Sequence, residues 1–226
     1  MARPRGQTRP GREVVLEAAI VLFAERGFHG TSMRDVAAAA GMTVAGIYHH
    51  FSSKQEILRG LMVATMIDVL EATAAALDAA GSTPQDRLGA LVEAWVLFHT
   101  QRQAEALIGA SELRSLDDEG LVEVIALRDQ QEARFREIVD AGVSTGVFAT
   151  SFPTEAARAV INMGYSIASW WRAGGEATPE QMAELAASNG AAFDRLFLEL
   201  MIPHHEGAVK MVTELLDQPG SAYDPV

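Results

Sequence analysis

The sequence of 226 residues contains no cysteine. Disulfide bonds and metal sites built from thiolates are therefore excluded, and a reducing compartment is compatible with the composition. No apolar run approaches the ~18 residues that a membrane span needs. The basic N-terminus is not followed by the apolar segment of a signal peptide. From these absences we expect a soluble protein of the cytoplasm that does not enter a membrane.

The signatures of an enzyme are also missing. The few histidines are not paired with a nucleophile, and no glycine-rich phosphate loop is present. Carboxylate pairs such as Asp117–Asp118 have the pattern of helix caps or surface charge. We therefore expect no catalytic activity and no cofactor, and we assign no metal site.

Positive charge is scarce overall but concentrated at one end of the chain. The net charge is −12, yet residues 1–60 hold eight Arg or Lys against five acidic residues. The other 166 residues hold ten basic and twenty-five acidic ones. Because phosphate attraction depends on local potential, this asymmetry predicts that the N-terminal part binds nucleic acid. Arg3, Arg5 and Arg9 lie in residues 1–11, which form either a flexible arm that contacts DNA or a solvated tail.

No segment has the alternation of a strand, and apolar residues recur at intervals of three and four. We predict an all-α protein with three helices in an N-terminal domain and six in a second one. Cap patterns at Ser53–Glu56, Thr83–Asp86, Ser115–Asp118 and Thr178–Gln181 mark several starts. The predicted helices beyond the short pair described next cover residues 12–26, 54–80, 85–101, 103–114, 119–145, 154–172 and 179–201.

Residues 31–54 predict two short helices joined by a glycine turn. Thr31 or Ser32 supplies the first N-cap, with Asp35 completing a capping box. Gly41 stands where a helix end often needs a left-handed residue. Neither helix can bury a core alone, so the arrangement predicted is a helix-turn-helix.

This block, with VLFAERGF before it, resembles the TetR family of bacterial transcription regulators. The residues that carry the resemblance are Phe23, Gly27, Thr31, Asp35, Ala37, Ala40, Gly41, Gly46, Tyr48, Phe51, Lys54 and Leu58. It covers about the first quarter of the chain closely and the remainder only as an all-helical pattern. The resemblance implies base-edge contacts from Met42, Thr43, Val44 and Gly46, and phosphate contacts from Tyr48 and His49. We add Lys54, at a helix N-terminus, together with Thr31 and Arg34 as phosphate candidates.

The resemblance also implies a homodimer in which helices 154–172 and 179–201 form a four-helix interface. The same small and apolar residues could fill a monomeric core, but a palindromic operator calls for a two-fold partner. We predict a DNA-binding domain at residues 1–53, a ligand-binding and dimerisation domain at 54–201 and an extension at 202–226.

The second domain is expected to bind a small-molecule effector. Candidate lining residues, each of which could instead be ordinary core, are Met62, Met66, Trp95, Phe98, His99, Ser111, Phe135, Met163, Trp170 and Arg172. The segments ELRSLD, LRDQQEARFREIV and GYSIASWWRAGGEATPEQMAE resemble the TetR subgroup that responds to acyl-coenzyme A thioesters of lipid, sterol or aromatic-acid catabolism. Function is therefore predicted as a repressor that a hydrophobic molecule, with an acyl-CoA as the candidate, releases from DNA.

The segment MIPHHEGAVKM resembles the His-His helix motif of a separate small bacterial family often associated with metals. His204, His205 and Met211 could bind a soft or borderline metal. Adjacent histidines point about 100° apart on a helix, which disfavours one shared ion. The alternatives are a non-functional extension and a metal-linked regulator that senses through this tail.

Overall fold

A computed structural model describes residues 10–175 and 178–187 of the chain. The helices are α1 (Pro10–Arg26), α2 (Met33–Ala39), α3 (Val44–Tyr48), α4 (Lys54–Ala79), α5 (Pro84–Gln101), α6 (Gln103–Ser111), α7 (Asp118–Ser144), α8 (Pro153–Trp170) and α9 (Pro179–Ala187), with a 3-10 turn at Leu113–Ser115. Within those ranges no residue is in a strand. The all-α prediction is confirmed.

The predicted cap residues begin most of these helices. The Ser32 side chain accepts a hydrogen bond from the Asp35 amide, and the Asp35 carboxylate accepts one from the Ser32 amide. Both bonds satisfy donors that a helix start leaves unpaired, and the hydrogen bond from Ser32 lowers the pKa of Asp35. At the start of α4 the Ser53 side chain accepts a hydrogen bond from the Glu56 amide, and at the start of α5 the Thr83 side chain accepts one from the Asp86 amide.

The start of α7 differs from the prediction. Asp117, and not Ser115, is the N-cap, and its Oδ1 accepts from the Gly120 amide at 2.9 Å. Ser115 lies in the 3-10 turn, where its hydroxyl donates to Glu112 Oε2 at 2.7 Å. The predicted helix 103–114 therefore ends at Ser111, and α7 begins one residue earlier than predicted.

The first hydrophobic core joins α1, α2, α3 and the beginning of α4. Phe23, Val36 and Ile47 are buried there, together with Ile108 of α6 and Val124 of α7. The helix-turn-helix unit, α1 to α3, therefore packs directly against the second unit, α5 to α9, and α4 belongs to both. The predicted boundary after residue 53 stays a prediction, because α4 contributes to both units.

The second core lies among α4, α5, α7 and α8. Trp95 packs against Phe135 in this core. Val69 of α4 and Ile161 of α8 are buried in the same cluster. A smaller cluster of Val96, Ile167, Trp171 and Met182 joins α5, α8 and α9.

Helix α4 has the length and apolar composition of a membrane span, which corrects the expectation that no segment does. Its buried residues extend from Ile57 to Thr73 and contact both cores. These residues recur in adjacent pairs four positions apart, so they form one buried stripe along the helix, as on a helix that packs in a soluble bundle. The helix connects the two units physically.

Candidate nucleic-acid interface and ligand cavity

The turn between α2 and α3 sets the direction of α3. Gly41 has φ +65°, in the left-handed region. The Met42 amide donates to Ala37 O at 2.8 Å and the Gly41 amide to Ala38 O at 3.1 Å. This pair of bonds is the Schellman ending of a helix. Thr43 then starts α3, and its Oγ1 accepts from the Gly46 amide at 3.0 Å.

One face of α3 is open to solvent while the other is held by the core. Ile47 is fully buried, whereas Tyr48 is 52% exposed and Val44 is 40% exposed. Thr43, His49 and, on α2, Arg34 are exposed as well. Gly46 leaves little room for a side chain, since a Cβ there would lie 3.2 Å from Thr43 Oγ1. The open face offers small groups to a groove floor and polar tips to phosphates.

Thr31 and Lys54 lie where their side chains hold the unit together, so their predicted roles are revised. Thr31 is 2% exposed, and its hydroxyl donates to Gly27 O at 3.0 Å. Lys54 Nζ donates to Phe28 O and Thr31 O, each at 2.6 Å, and lies 4.1 Å from the Phe28 ring centroid. Burial lowers the pKa of Lys54. These side chains fasten the start of α4 to the turn before α2.

Polar contacts also fasten the helix-turn-helix unit to the second unit. The Phe28 amide donates to Glu112 Oε1 at 3.2 Å. Gln55 Nε2 donates to Ser115 O at 2.7 Å, and the Asp117 amide donates to Gln55 Oε1 at 3.3 Å. These contacts were not predicted from the sequence, because each joins positions about sixty or more apart along the chain. A shift of the 3-10 turn would be felt at α1 and α4 together.

A cavity of about 380 Å³ lies between α7 and α8, with α5 at one end. Its lining combines apolar side chains with two opposite pairs of charges. The lining residues are Trp95, Leu113, Ile125, Arg128, Asp129, Gln131, Glu132, Arg158, Ile161, Asn162 and Tyr165. Arg158 donates to Glu132 Oε1 at 3.0 Å, and burial raises the pKa of Tyr165. The lining is that of a site for a mixed apolar and polar ligand.

Two donors in this lining are buried without a protein acceptor: Arg128 Nε and Gln131 Nε2. Gln131 is 2% exposed, and its Oε1 accepts from Thr73 Oγ1 on α4 at 3.0 Å. An unpaired buried donor costs about 1–3 kcal/mol. Two residues of the lining therefore hold hydrogen-bonding capacity that the chain itself does not use.

The predicted ligand residues are only partly brought together. Trp95 lines this cavity, and Ser111 lines a shallower one of about 440 Å³ beside Arg114. The expectations for Met62 and Phe135 are revised, because both side chains are enclosed in the cores. Met66 is 9% exposed, and the half-buried Phe98 packs on the second core. Neither Met66 nor Phe98 is among the described lining of either cavity.

His99 is 1% exposed and is enclosed by Trp95, Phe98 and Tyr165. Its Nδ1 lies 2.7 Å from Trp95 O, so Nδ1–H donates to that carbonyl. Burial lowers the pKa of His99 to about 4. The ring is therefore a neutral part of the cavity's supporting wall, rather than part of its lining.

Three other predicted ligand residues are exposed and are not among the residues that line this cavity. Met163 is 62% exposed, and Trp170 and Arg172 are exposed as well. Gln131 and Tyr165 were missed by the sequence analysis. For Gln131 the signal was a polar residue at the spacing of the buried Val124, Phe135 and Ile138 on α7.

Some predicted sites lie outside the described residues. They are Arg3, Arg5 and Arg9, the part of helix 179–201 beyond residue 187, and His204, His205 and Met211. Over residues 10–175 and 178–187, no group of three or more His, Asp or Glu side chains is placed to hold a metal. The metal-linked alternative stays a prediction about the tail.

Two family models match the chain. Residues 15–61 match the model described as "Bacterial regulatory proteins, tetR family", and residues 81–190 match "Tetracyclin repressor-like, C-terminal domain". The repressor KstR2 of Rhodococcus jostii is 30% identical over 179 residues, which are 76% of this chain and 85% of that protein. KstR2 of Mycobacterium tuberculosis is 28% identical over 193 residues, which are 81% of this chain and 92% of that protein.

A solved structure of AibR in complex with isovaleryl coenzyme A and operator DNA is also similar. Its TM-score is 0.72 at 28% identity, over 78% of this chain and 96% of AibR. The family models, the relatives and the solved structure agree with an N-terminal helix-turn-helix followed by a second helical unit. The chain belongs to the TetR family of transcriptional regulators and is a helix-turn-helix repressor, not an enzyme.

Proposed function

We propose that this repressor binds a palindromic operator as a homodimer in the cytoplasm and is released by an acyl-coenzyme A thioester. The observation that carries the proposal is the cavity between α7 and α8. The second unit, which contains this cavity, is joined to the helix-turn-helix unit by α4 and by the hydrogen bonds of Glu112 and Gln55. A ligand in that cavity acts on the elements that support the DNA-reading face.

In the proposed complex, α3 enters the major groove. Met42, Thr43, Val44 and Gly46 contact base edges, while Arg34, Tyr48 and His49 contact phosphates. Few of the base-reading side chains can form the paired hydrogen bonds that identify a base. Sequence specificity therefore rests on van der Waals contacts, DNA shape and the spacing of half-sites.

The outer side of α8 supports the homodimer. Met163 and, just before the helix, Phe152 are 62% and 67% exposed, while Ala157, Ile161 and Ala168 of the same helix are buried. Exposed large apolar groups on a helix that already packs on one side suit a protein partner. A two-fold partner would place two α3 helices about 34–36 Å apart, one turn of DNA, or a multiple of it.

The size and lining of the cavity support an acyl effector. A volume of about 380 Å³ lies within the range of about 300–1,000 Å³ typical of ligand sites. An acyl group would lie against Ile125 and Ile161, while the bulky coenzyme remains at the surface near the exposed Arg158. The AibR structure binds such a thioester together with operator DNA, and this similarity supports the class of effector.

Release follows from thermodynamic linkage. A ligand that prefers one arrangement of α4 and the 3-10 turn shifts the relative position of the two α3 helices of the dimer. A coupling free energy of about 1–3 kcal/mol lowers operator affinity roughly 5- to 150-fold.

The test begins with selection of bound duplexes from a random DNA library, followed by gel-shift titration. We expect a two-fold symmetric motif, weaker binding by the Arg34→Ala variant, and unchanged binding by the Arg136→Ala variant, which removes an exposed arginine of α7. Octanoyl-CoA, but not free coenzyme A, should weaken the complex. Failure to select any motif would refute the DNA-reading face, a motif without symmetry would refute the homodimer, and equal affinity with every thioester would refute the effector.

A further inference from the structure

We propose that Arg128 and Gln131 together form a recognition site for one neutral carbonyl oxygen of the effector. The inference rests on the proposed function and names the chemical group that the cavity recognises. Its evidence is the pair of unpaired donors in the lining, Arg128 Nε and Gln131 Nε2.

The two residues are three positions apart on α7 and both line the same cavity. Side chains with this spacing are neighbours on one face of a helix. One oxygen atom has two lone pairs, so it can accept from both donors at once. A site of this kind selects a carbonyl oxygen over a hydrocarbon or a thioether.

Each of the two side chains is held in place by a hydrogen bond that another of its atoms forms with the protein. Arg128 Nη2 donates to Gly109 O at 2.6 Å, and the Arg128 guanidinium lies 5.9 Å from the Tyr165 ring centroid. Gln131 Oε1 accepts from Thr73 Oγ1 at 3.0 Å, and Arg134 Nη1 donates to the same Thr73 oxygen at 2.7 Å. Donors fixed in this way need little reorganisation when an acceptor arrives.

The charges around the two donors favour a neutral acceptor. Arg128 and Arg158 line the cavity together with Asp129 and Glu132, so the charges of the lining balance. A carboxylate would lose its hydration on entering the cavity, and the balanced charges of the lining offer no net charge in return. A thioester or ketone carbonyl accepts the same hydrogen bonds at a smaller desolvation cost.

The experiment compares four ligands by calorimetry and by tryptophan fluorescence, since Trp95 lines the cavity. The ligands are octanoyl-CoA, S-octyl-CoA (the thioether that lacks the carbonyl oxygen), 2-decanone and octanoate. We expect octanoyl-CoA to bind about tenfold more tightly than S-octyl-CoA. We expect 2-decanone to bind more tightly than octanoate at pH 7. These comparisons use the wild-type protein and need no variant to fold.

A variant then assigns the preference to the residue. Gln131→Met keeps a similar volume, and Thr73 can still donate to Val69 O, which lies 2.8 Å from its oxygen. It should reduce the preference for octanoyl-CoA over S-octyl-CoA about fivefold. The matched control is Gln130→Met, because Gln130 is exposed and adjacent on the same helix. The control should keep the wild-type preference.

Equal binding of octanoyl-CoA and S-octyl-CoA would overturn the inference, as would a full carbonyl preference in Gln131→Met. Octanoate bound as tightly as 2-decanone would overturn the neutral-acceptor part. If 2-decanone binds and loses affinity in Gln131→Met while no thioester binds, the carbonyl site stands and the acyl-CoA effector fails. If neither binds, both proposals are overturned.

Discussion

Acid should destabilise this protein through one buried side chain, His99. The ring is 1% exposed, lies 4.4 Å from the Trp95 ring centroid and has its Nδ1–H bonded to Trp95 O. Protonating Nε2 would place a positive charge inside the second core. The His99→Phe variant removes the titration and keeps an aromatic ring among aromatic neighbours.

The magnitude follows from the difference in pKa between the two states. The pKa of His99 is about 4 in the folded protein and 6.5 in its ordinary state. Because the folded pKa is the lower one, the unfolded chain binds the proton first. This contribution to stability is therefore present above pH 6.5 and is lost as the pH falls through 6.5 towards 4. The loss amounts to about 2 kcal/mol at pH 5.

Urea unfolding followed by circular dichroism at pH 7, 6 and 5, at one protein concentration, measures this effect. From pH 7 to pH 5, the free energy of unfolding of the wild type should fall by about 2 kcal/mol more than that of His99→Phe. His49→Gln removes an exposed histidine and should keep the wild-type dependence. Parallel pH profiles for wild type and His99→Phe would refute the reasoning.

Three substitutions test other parts of the account. Gly41→Ala places a side chain at φ +65°, so it should cost about 1–2 kcal/mol in urea unfolding and weaken operator binding; an unchanged midpoint would contradict the role of the turn. Lys54→Met removes two hydrogen bonds to carbonyls, so it should destabilise by about 1–3 kcal/mol and leave the salt dependence of DNA binding unchanged. A salt slope lowered by about one would instead restore the phosphate role. Gly164→Ala should displace Trp95 and weaken octanoyl-CoA binding, since the new Cβ would lie 2.1 Å from Trp95 Nε1. The control is Gly89→Ala, where a Cβ would meet no atom within 4 Å. Equal octanoyl-CoA binding by both variants would contradict the role of this packing.

The sequence allowed the helices to be predicted well because their signals are local. Ser32 with Asp35, Ser53 with Glu56, and Gly41 each act within a few residues of the backbone they cap. The predicted start of α7 was wrong because local signals alone could not separate two candidate caps. Ser115 and Asp117 are both good cap residues, and in the folded chain the Ser115 hydroxyl is bonded to Glu112 while the Asp117 carboxylate caps α7.

The cavity could not be predicted in the same way. Apolar residues at helical spacing give a buried face but do not show whether that face meets another side chain or an empty volume. Met62 and Trp95 have the same signal and are both buried in cores, yet only Trp95 also lines the cavity. The Gln131 side chain is held by a hydrogen bond from Thr73, which lies 58 positions earlier in the chain, so no local pattern could indicate this contact.

The central claim is that effector and operator act on one conformational equilibrium, and reciprocity tests it most directly. The measurement is the dissociation constant of octanoyl-CoA with and without a saturating selected operator, beside that of the operator with and without saturating octanoyl-CoA. Linkage requires both constants to change by the same factor, which we expect to lie between about 5 and 150. If octanoyl-CoA binds in the cavity but neither constant changes, the cavity does not control the grip on DNA, and the account is contradicted.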